Sequence, residues 1–306
     1  MLIIILSFLF TYFLTYLIIP LLKRFFLVVP NNRSSHSIAK PTAGGIVFVS
    51  LISFTGCFIN HYIPLICLPL SIVSLIDDKY DLKPNFRLLI QIMTIISLII
   101  ISPLNKILLD YFDNIIYLIL LFGLIFLSLA CINFINFADG LDGLLAGCMV
   151  IIFTTISIYL GLNFWIYIAS LIGFLFLNWY PSKLFMGDVG SIFLGSLFLG
   201  TIFQTNNFTD AFKLLLLASP LLGDALISVT RRLLSGESIV IPHKSFYFQR
   251  LNQGKLSHSQ VSTIYMTATT LICVCLLFGN LYWMVGTIFL EFILLLFLED
   301  KFAIKL

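Results

Sequence analysis

Long runs of apolar residues constrain this chain more than any other feature of its sequence. Only 10% of its 306 residues are charged, whereas a soluble domain averages about 25%. Many of the apolar runs approach or exceed the length that crosses a hydrocarbon core of about 30 Å. They lie at 2–20, 45–62, 64–76, 86–102, 115–133, 143–160, 162–179, 190–204, 212–230, 262–279 and 281–298. We therefore predict an all-α integral membrane protein, a polytopic bundle of about 10–11 transmembrane helices in a single domain over residues 1–306.

Positive charges are distributed unevenly between the segments that join these runs. Of the 17 Lys and Arg residues, all except Lys106 and Lys213 lie in alternate loops or in the C-terminal tail. Those segments are 21–44, 77–87, 131–142, 180–189, 231–261 and 299–306. Because cytoplasmic loops are enriched in Lys and Arg, we expect these segments in the cytoplasm. The N-terminus is then outside and the C-terminus is cytoplasmic.

The polar motifs of the chain are concentrated on the same side. The most polar is NFINFADGLDGL at 133–144, which carries Asn136, Asp139 and Asp142 between two apolar runs. An Asp at the centre of a membrane helix costs about 2.5–3.5 kcal/mol. Ionisable residues in such places are therefore candidates for a functional site.

Two adjacent carboxylates, Asp77 and Asp78, follow the third apolar run. Neighbouring negative charges repel, so the pair needs a nearby cation. That cation could be a divalent metal ion or the side chain of Lys79, Lys83 or Arg87. The alternative is a cluster of charges at a helix end, but further acidic residues on the same side favour the metal.

Asp188 lies directly before the eighth run, in the segment LFMGDVGS. Carboxylate and amide oxygens are ligands of Mg²⁺, which usually takes one or two protein carboxylates and completes its shell with water and substrate phosphate. Asp188 with Asn136 or a nearby Asp suits such a site. The alternative, that Asp188 caps the following helix, does not exclude metal binding.

The loop after the ninth run is basic. It begins with Arg231 and Arg232 and continues to His243 and Lys244. Arginines next to a membrane helix are typical of anchoring to anionic lipid, and this is our interpretation of Arg231 and Arg232. His243 stands in an aromatic and polar stretch, for which we favour a function.

The remaining polar residues carry weaker signals. The pair Gly44–Gly45 suits either binding of an anion by the backbone or close packing of a helix. His61 and His258 are predicted to be incidental to the site. Asp224, inside the ninth run, is interpreted as a helix-packing or cavity residue.

Acidic candidates for a metal site and basic candidates for an anion site thus lie on one membrane face. This combination suits a metal-bound phosphate substrate together with a second substrate embedded in the membrane. We therefore predict phosphoryl transfer onto a lipid. The leading alternative from another class is an ion-coupled transporter, whose intramembrane carboxylates would lie near the middle of the spans.

The motifs also resemble, in content and order, those of a known family. They are PNNRSSH (30–36), PTAGG (41–45), the DD pair (77–78), NFINFADGLDGL (133–144), FMGDVGS (185–191) and PHKSFYFQRL (242–251). Together they span nearly the whole chain. On these motifs the chain resembles the MraY- and WecA-like polyprenyl-phosphate N-acetylhexosamine-1-phosphate transferases.

The resemblance implies an activity and a set of site residues. The activity is transfer of a sugar-1-phosphate from a UDP-sugar to undecaprenyl phosphate, with Mg²⁺ (Mn²⁺ as an alternative) and release of UMP. The implied catalytic residues are Asp77, Asp78 and His243, and the implied metal site is Asp188 with Asn136. The implied substrate-binding residues are Thr42, Asn136, Asp139, Asp142, Phe185 and Lys244.

The same resemblance implies the partners and the location. The partners are undecaprenyl phosphate, a UDP-activated N-acetylated amino sugar and membrane lipid, and no nucleic acid is expected. A homodimer agrees with the resemblance. The implied location is the inner (cytoplasmic) membrane, with the active site on its cytoplasmic face.

The last motif departs from that of some family members. Members that use a muramoyl-pentapeptide substrate carry a run of histidines there, whereas here His243 is followed by Lys244 and Ser245, and Phe246 replaces a second histidine. The pattern is closer to the branch that initiates O-antigen or capsule chains, often on deoxy-amino sugars. Initiation of peptidoglycan or teichoic acid by the same chemistry is the alternative.

Overall fold

The computed structural model describes residues 1–29, 39–238 and 244–304. These residues form fourteen helices and two short strands. The helices are α1 (Leu2–Phe25), α2 (Ile46–Phe58), α3 (Ile63–Tyr80), α4 (Pro84–Ile100), α5 (Pro103–Tyr111), α6 (Asn114–Phe137), α7 (Leu144–Leu160), α8 (Trp165–Asn178), α9 (Asp188–Phe203), α10 (Phe208–Leu216), α11 (Ser219–Leu234), α12 (Tyr247–Gly254), α13 (His258–Phe278) and α14 (Leu281–Phe302). The strands β1 (Leu27–Val28) and β2 (Lys40–Pro41) pair antiparallel.

Several of these helices suit a membrane. Among the described residues, four helices are individually long and apolar enough to cross one, namely α1, α6, α13 and α14. The bent pairs α4 with α5 and α10 with α11 raise the number to six if each pair is one span. Shorter apolar helices are α2, α7, α8 and α9. The prediction of an all-α, multi-pass membrane protein is confirmed, while the number of 10–11 spans and the orientation of the termini stay predictions.

Two apolar segments bend sharply. The run at 212–230 divides into α10 and α11, which meet at 76°, and α5 is bent by 74° from α4. In each case a proline occupies the first turn of the second helix, Pro220 in α11 and Pro103 in α5. Proline disfavours continuation of a preceding helix because it lacks an N–H and its ring clashes with the preceding turn, whereas its fixed φ suits the start of a new helix. The prediction of one continuous helix over 212–230 was therefore wrong.

The central helix of the fold is α9. Every residue from Val189 to Phe203 is buried, and α9 packs against α2, α3, α4 and α6. Small residues permit this close packing, since a Cβ added at Gly195 would lie 3.2 Å from the Cα of Ile132 in α6. Because α9 begins at Asp188, the most buried helix starts at a predicted site residue.

The PTAGG and FMGDVGS segments pack backbone against backbone. The N–H groups of Gly44 and Gly45 donate to the carbonyls of Phe185 and Met186, each at 2.9 Å. A Cβ added at Gly45 would lie 2.6 Å from the Cα of Gly190, closer than a side chain can approach without moving backbone. The two amides are therefore unavailable to an anion. Of the two interpretations of the glycine pair, close packing is confirmed and anion binding was wrong.

Substituting alanine for Gly45 is expected to destabilise the fold. The new methyl group meets backbone atoms of α9, which can shift only together with the central helix, so overpacking should cost about 1–3 kcal/mol. We expect the apparent melting temperature in detergent to fall by about 2–6 °C. Gly123→Ala is the matched control, because a Cβ at Gly123 meets nothing within 4 Å. Equal melting temperatures for the two variants would contradict this packing.

Candidate active site

One cavity of about 310 Å³ lies at the start of α9, where residues from five of the polar motifs meet. It gathers six of the residues that the sequence predicted for the site. They are Thr42, Asp78, Asp139, Asp142, Phe185 and Asp188. These six residues come from four separate parts of the chain and line one cavity.

The other predicted site residues have different positions. Asp77 and Asn136 lie beside the cavity and reach it through hydrogen bonds to neighbours. Lys244 is described but is not among the residues that line the cavity, and its carbonyl accepts a hydrogen bond from Gln253 Nε2 at 3.3 Å. His243 lies outside the described residues, so its catalytic role stays a prediction.

The cation beside the acidic pair is Arg87. Its Nη1 donates to Asp77 Oδ2 at 2.8 Å and to Asp188 Oδ2 at 3.1 Å. Asp77 Oδ1 also accepts from the backbone N–H of Leu82 at 2.8 Å. Lys79, another candidate for this role, lies instead over the ring of Phe25, 5.3 Å from its centroid. Arg87 thus joins the end of α3 to the start of α9.

Asp78 differs from its neighbour Asp77 in having an unsatisfied oxygen. Its Oδ2 is buried and has no hydrogen-bond partner in the part of the chain that the structure describes. A buried acceptor without a partner costs about 1–3 kcal/mol, and more when it is charged. Asp78 is therefore suited to meet a cation or a donor brought by a substrate.

Asp139 lies in the turn between α6 and α7, outside both helices. Desolvation, together with the negative charges of Asp188 and Asp78, raises the pKa of Asp139 well above its ordinary value. Carboxylates that repel one another in this way are stabilised when a cation binds among them. The cluster therefore has the electrostatic character of a cation site.

A metal ion in this cavity would have few protein ligands. Within the described ranges, no group of three or more Asp, Glu, His or Cys side chains is compact enough to hold a metal by itself. Mg²⁺ does not need such a group, because it usually takes one or two carboxylates and completes its shell with water and phosphate. The unsatisfied oxygen of Asp78 and the carboxylate of Asp188 fit this sparser requirement.

Asn136 supports Asp188 from α6. Its side chain lies beside the Asp188 carboxylate and favours the ionised form of that group, and its Oδ1 accepts from Ser191 Oγ at 2.5 Å. The amide oxygen is thus already paired, which gives Asn136 a supporting position beside the predicted metal ligand. The cap of α9 is Gly187, with no side-chain capping bond, so the interpretation of Asp188 as a helix cap was wrong.

Asp142 holds a lysine that the sequence analysis did not single out. Its Oδ2 accepts from Lys40 Nζ at 3.1 Å and from the backbone N–H of Ser182 at 3.0 Å. The same ammonium group lies 5.2 Å from the centroid of the Phe185 ring. An aromatic face and a positive charge are therefore adjacent at the cavity. A single loop lysine is hard to distinguish from the general excess of positive charge on this side, although its place directly before PTAGG was a signal.

His258 also belongs to the cavity wall. Its Nδ1 accepts from the backbone N–H of Asp142 at 3.4 Å, and its ring stacks on Tyr180 with 5.3 Å between centroids. The prediction that His258 is incidental to the site was wrong. Two residues without a predicted role, Gln249 and Asn178, line the cavity as well.

Asn178 connects two of the motifs. Its Oδ1 accepts from the N–H of Gly143 at 3.1 Å, and its Nδ2 donates to the carbonyl of Leu184 at 3.1 Å. The DGLDGL turn and the FMGD segment are thereby held by one buried amide at the end of α8.

The arginines of the basic loop have protein partners. Arg231 Nη1 donates to Glu299 Oε1 at 2.8 Å, and its Nη2 donates to Tyr247 Oη at 2.6 Å. Arg232 pairs with Glu237 at 2.7 Å. Both arginines are thus paired within the chain, and their interpretation as lipid anchors stays a prediction.

Comparison with known proteins identifies related sequences. The model of glycosyl transferase family 4 matches residues 61–206, a segment that contains every acidic residue of the cavity. A probable undecaprenyl-phosphate N-acetylglucosaminyl 1-phosphate transferase of Bacillus subtilis (strain 168) is 30% identical, over 94% of this chain and 88% of the relative. An undecaprenyl-phosphate alpha-N-acetylglucosaminyl 1-phosphate transferase of Escherichia coli (strain K12) is 27% identical, over 79% and 73%. A phospho-N-acetylmuramoyl-pentapeptide-transferase of Prochlorococcus marinus (strain NATL2A) is 34% identical, over 60% and 59%.

Proposed function

This chain belongs to glycosyl transferase family 4 and is a membrane-embedded phosphoglycosyl transferase, and from that premise we propose that it transfers a sugar-1-phosphate from a UDP-activated N-acetylated amino sugar to undecaprenyl phosphate. UMP is the second product. The observation that carries the proposal is that one cavity is lined both by the carboxylates of Asp78, Asp139 and Asp188 and by Phe185. Such a site pairs a cation-binding cluster with an aromatic surface for a nucleobase.

The donor half of the site is formed around Phe185. The uracil ring stacks on Phe185, and Lys40, whose ammonium group lies over the ring of Phe185 at 5.2 Å from its centroid, supplies a positive charge for the diphosphate. Asp142 and Ser182 hold Lys40 in place. Thr42 lies on the same cavity wall and contacts the nucleotide.

The acid cluster forms the reacting half of the site. Asp188, with Asp78 or Asp139, would hold Mg²⁺ (Mn²⁺ being the alternative), which when bound neutralises the diphosphate and the UMP leaving group. A phosphate monoester has a second pKa of about 6, so the lipid phosphate is already largely dianionic at neutral pH. It attacks the β-phosphorus, the bond from that phosphorus to the bridging oxygen breaks, and UMP leaves.

Asp77 and Asp78 have separate tasks in this proposal. Asp77 accepts hydrogen bonds from the Leu82 N–H and from Arg87, and so it holds Arg87 between α3 and α9. The unsatisfied carboxylate of Asp78 orients the acceptor or takes up its residual proton. The alternative is a phospho-aspartate intermediate. Inversion of configuration at the β-phosphorus is expected for direct attack, and net retention would contradict it.

We place the site on the cytoplasmic face of the inner membrane. The support is the excess of Lys and Arg in the segments that carry the site. An ion-coupled transporter, the alternative class, would place its acids along a path through the span. Here the carboxylates of Asp78, Asp139 and Asp188 are instead gathered in one cavity at helix ends.

The sugar and the pathway are finer parts of the proposal. The names of the Bacillus subtilis and Escherichia coli relatives support N-acetylglucosamine-1-phosphate as the first candidate. The sequence around His243 supports a deoxy-amino sugar and a role in O-antigen or capsule initiation. Peptidoglycan or teichoic acid initiation is the alternative pathway.

The proposed function is tested by release of UMP from purified protein. The reaction contains undecaprenyl phosphate, Mg²⁺ and, one at a time, several UDP-N-acetylhexosamines and their deoxy derivatives. We expect UMP with at least one donor, and only when the lipid phosphate is present. Absence of UMP with every donor, from protein that is folded by thermal melting, would contradict the proposal.

Replacing Phe185 by Leu is expected to weaken donor binding. Stacking of a base on an aromatic side chain contributes about 1–3 kcal/mol, so the KM for the UDP-sugar should rise about tenfold. The KM for the lipid phosphate should stay within about twofold, because the acid cluster is untouched. Phe126→Leu is the control, since Phe126 is 70% exposed on α6. If the two variants have the same KM, uracil does not stack on Phe185.

A further inference from the structure

Asp224 is a buried carboxylate in the apolar part of the chain, in the first half of α11. It is only 3% exposed, and none of the roles described above uses it. Its Oδ1 accepts from the backbone N–H of Tyr247 at 2.8 Å and from Ser228 Oγ at 3.1 Å. Its Oδ2 accepts from the N–H of Phe248 at 3.1 Å and from Tyr265 Oη at 2.6 Å. Both oxygens are therefore fully engaged.

The two backbone donors show what the carboxylate does. Tyr247 and Phe248 are the first two residues of α12, and the N-cap residue Phe246 provides no side-chain capping bond. The first N–H groups of a helix have no partner within the helix. A carboxylate at that position satisfies them and interacts favourably with the helix dipole. Asp224 thus caps α12 from a different helix, 23 residues earlier in the chain.

The capped end of α12 faces the cavity. Gln249 lines the cavity directly. Phe248 lies so close to the DGLDGL turn that a Cβ added at Gly140 would be 2.7 Å from its ring. A displacement of this end of α12 would therefore move a cavity side chain and release the turn that carries Asp139 and Asp142.

The rest of α12 has its own anchors. Arg250 pairs with Glu299 at the end of α14, and its Nη2 donates to the carbonyl of Ile304 at 2.8 Å. Tyr247 accepts from Arg231 through its hydroxyl. These contacts tie α12 to α11 and α14. Among the residues that the structure describes, Asp224 is the one whose side chain accepts from the first two backbone N–H groups of α12.

We infer that Asp224 is a positioning residue that fixes the start of α12 against the nucleotide-sugar cavity. Through α12 it sets the place of Gln249 and of the DGLDGL turn, and so the affinity for the UDP-sugar. The inference about affinity rests on the proposed function. The inference about the position of α12 does not.

A matched comparison is available in the same groove. Asp224 and Glu291 both line the groove between α11, α13 and α14. Glu291 Oε1 has no hydrogen-bond partner in the described part of the chain, and Glu291 makes none of the contacts to α12. The variants Asp224→Asn and Glu291→Gln therefore make the same change from carboxyl to amide in the same groove, but only the first replaces an oxygen that accepts from the backbone of α12.

Hydrogen–deuterium exchange of full-length protein in detergent tests the position of α12 without any substrate. In Asp224→Asn the amides of Tyr247 and Phe248 should exchange about tenfold faster, while Glu291→Gln matches the wild type. Tyr265→Phe removes one support of the carboxylate but no backbone bond, and should give a smaller increase. It also keeps the test decisive if Asp224→Asn does not fold. Unchanged exchange at Tyr247 and Phe248 in both Asp224→Asn and Tyr265→Phe would overturn the inference.

Steady-state kinetics test the consequence for substrate. Asp224→Asn should raise the KM for the UDP-sugar about tenfold and leave the KM for the lipid phosphate within about twofold. If Asp224→Asn raises both KM values and lowers kcat by similar factors, the damage is general and the proposed positioning of α12 is contradicted. If the wild type itself releases no UMP, the proposed function fails while the exchange result still stands.

Discussion

Asp188→Asn should reduce turnover about a thousandfold, the largest effect expected of any single substitution in this protein. Asp188 begins α9 at the cavity, between Arg87 and the supporting amide of Asn136. Asparagine keeps the shape and one acceptor, so the fold should survive. It removes the negative charge that a divalent cation needs among Asp78 and Asp139.

The measurement is UMP release as a function of Mg²⁺ concentration. We expect no recovery of the Asp188→Asn variant at any accessible Mg²⁺ concentration, with a melting temperature close to the wild type. Asp81→Asn is the matched control, because Asp81 is exposed just beyond α3 in a left-handed conformation that asparagine tolerates. Turnover of Asp188→Asn equal to that of Asp81→Asn would remove Asp188 from the metal site.

The second large effect is expected at Asp78. Asp78→Asn should lower kcat by about a hundredfold or more and leave the KM for the UDP-sugar within about threefold. The reason is that the Asp78 carboxylate has a buried oxygen without a described partner, whereas the donor wall around Phe185 and Lys40 does not depend on it.

Steady-state kinetics with one substrate varied while the other is saturating give kcat and both KM values. Asp110→Asn is the control, an exposed acid in α5 away from the cavity. A variant Asp78→Asn with wild-type kcat and a raised KM would show that Asp78 binds the donor and has no part in the chemical step.

Much of the fold could be predicted because local patterns determine it. The apolar runs coincide with helices, since a run of that length in lipid must satisfy its backbone hydrogen bonds internally. The exception is the run at 212–230, which divides into α10 and α11. The glycine pair of PTAGG and the acid pair in the last turn of α3 were recognised by residue type alone. The gathering of the acidic motifs into one cavity followed from their shared side of the membrane.

The rest could not be predicted, because it depends on contacts between distant parts of the chain. Lys40 and Asp142 are 102 residues apart, and neither position shows a local pattern that names the other. α12 has eight residues, too few for a periodic signal, and the carboxylate that caps it lies in another helix. The bend before α11 could not be predicted because its proline lies inside a continuous apolar run.

His258 illustrates a different difficulty. Its place at the start of α13 is typical of a polar loop end, which led to the prediction that it is incidental. It reaches the cavity because α13 begins beside the DGLDGL turn, where Ser262 Oγ also donates to the carbonyl of Asp142 at 2.9 Å. Such neighbours are set by helix packing and are visible only in three dimensions.

The most direct test of the central claim follows the β-phosphate of the donor. Purified protein is given Mg²⁺, undecaprenyl phosphate and UDP-N-acetylglucosamine, or the donor preferred in the UMP assay, radiolabelled at the β-phosphate. We predict that the label enters the lipid fraction in equal amount to the UMP released. Label that leaves as UDP would mean that only the sugar is transferred. That result would exclude transfer of a sugar-1-phosphate and contradict the proposed function.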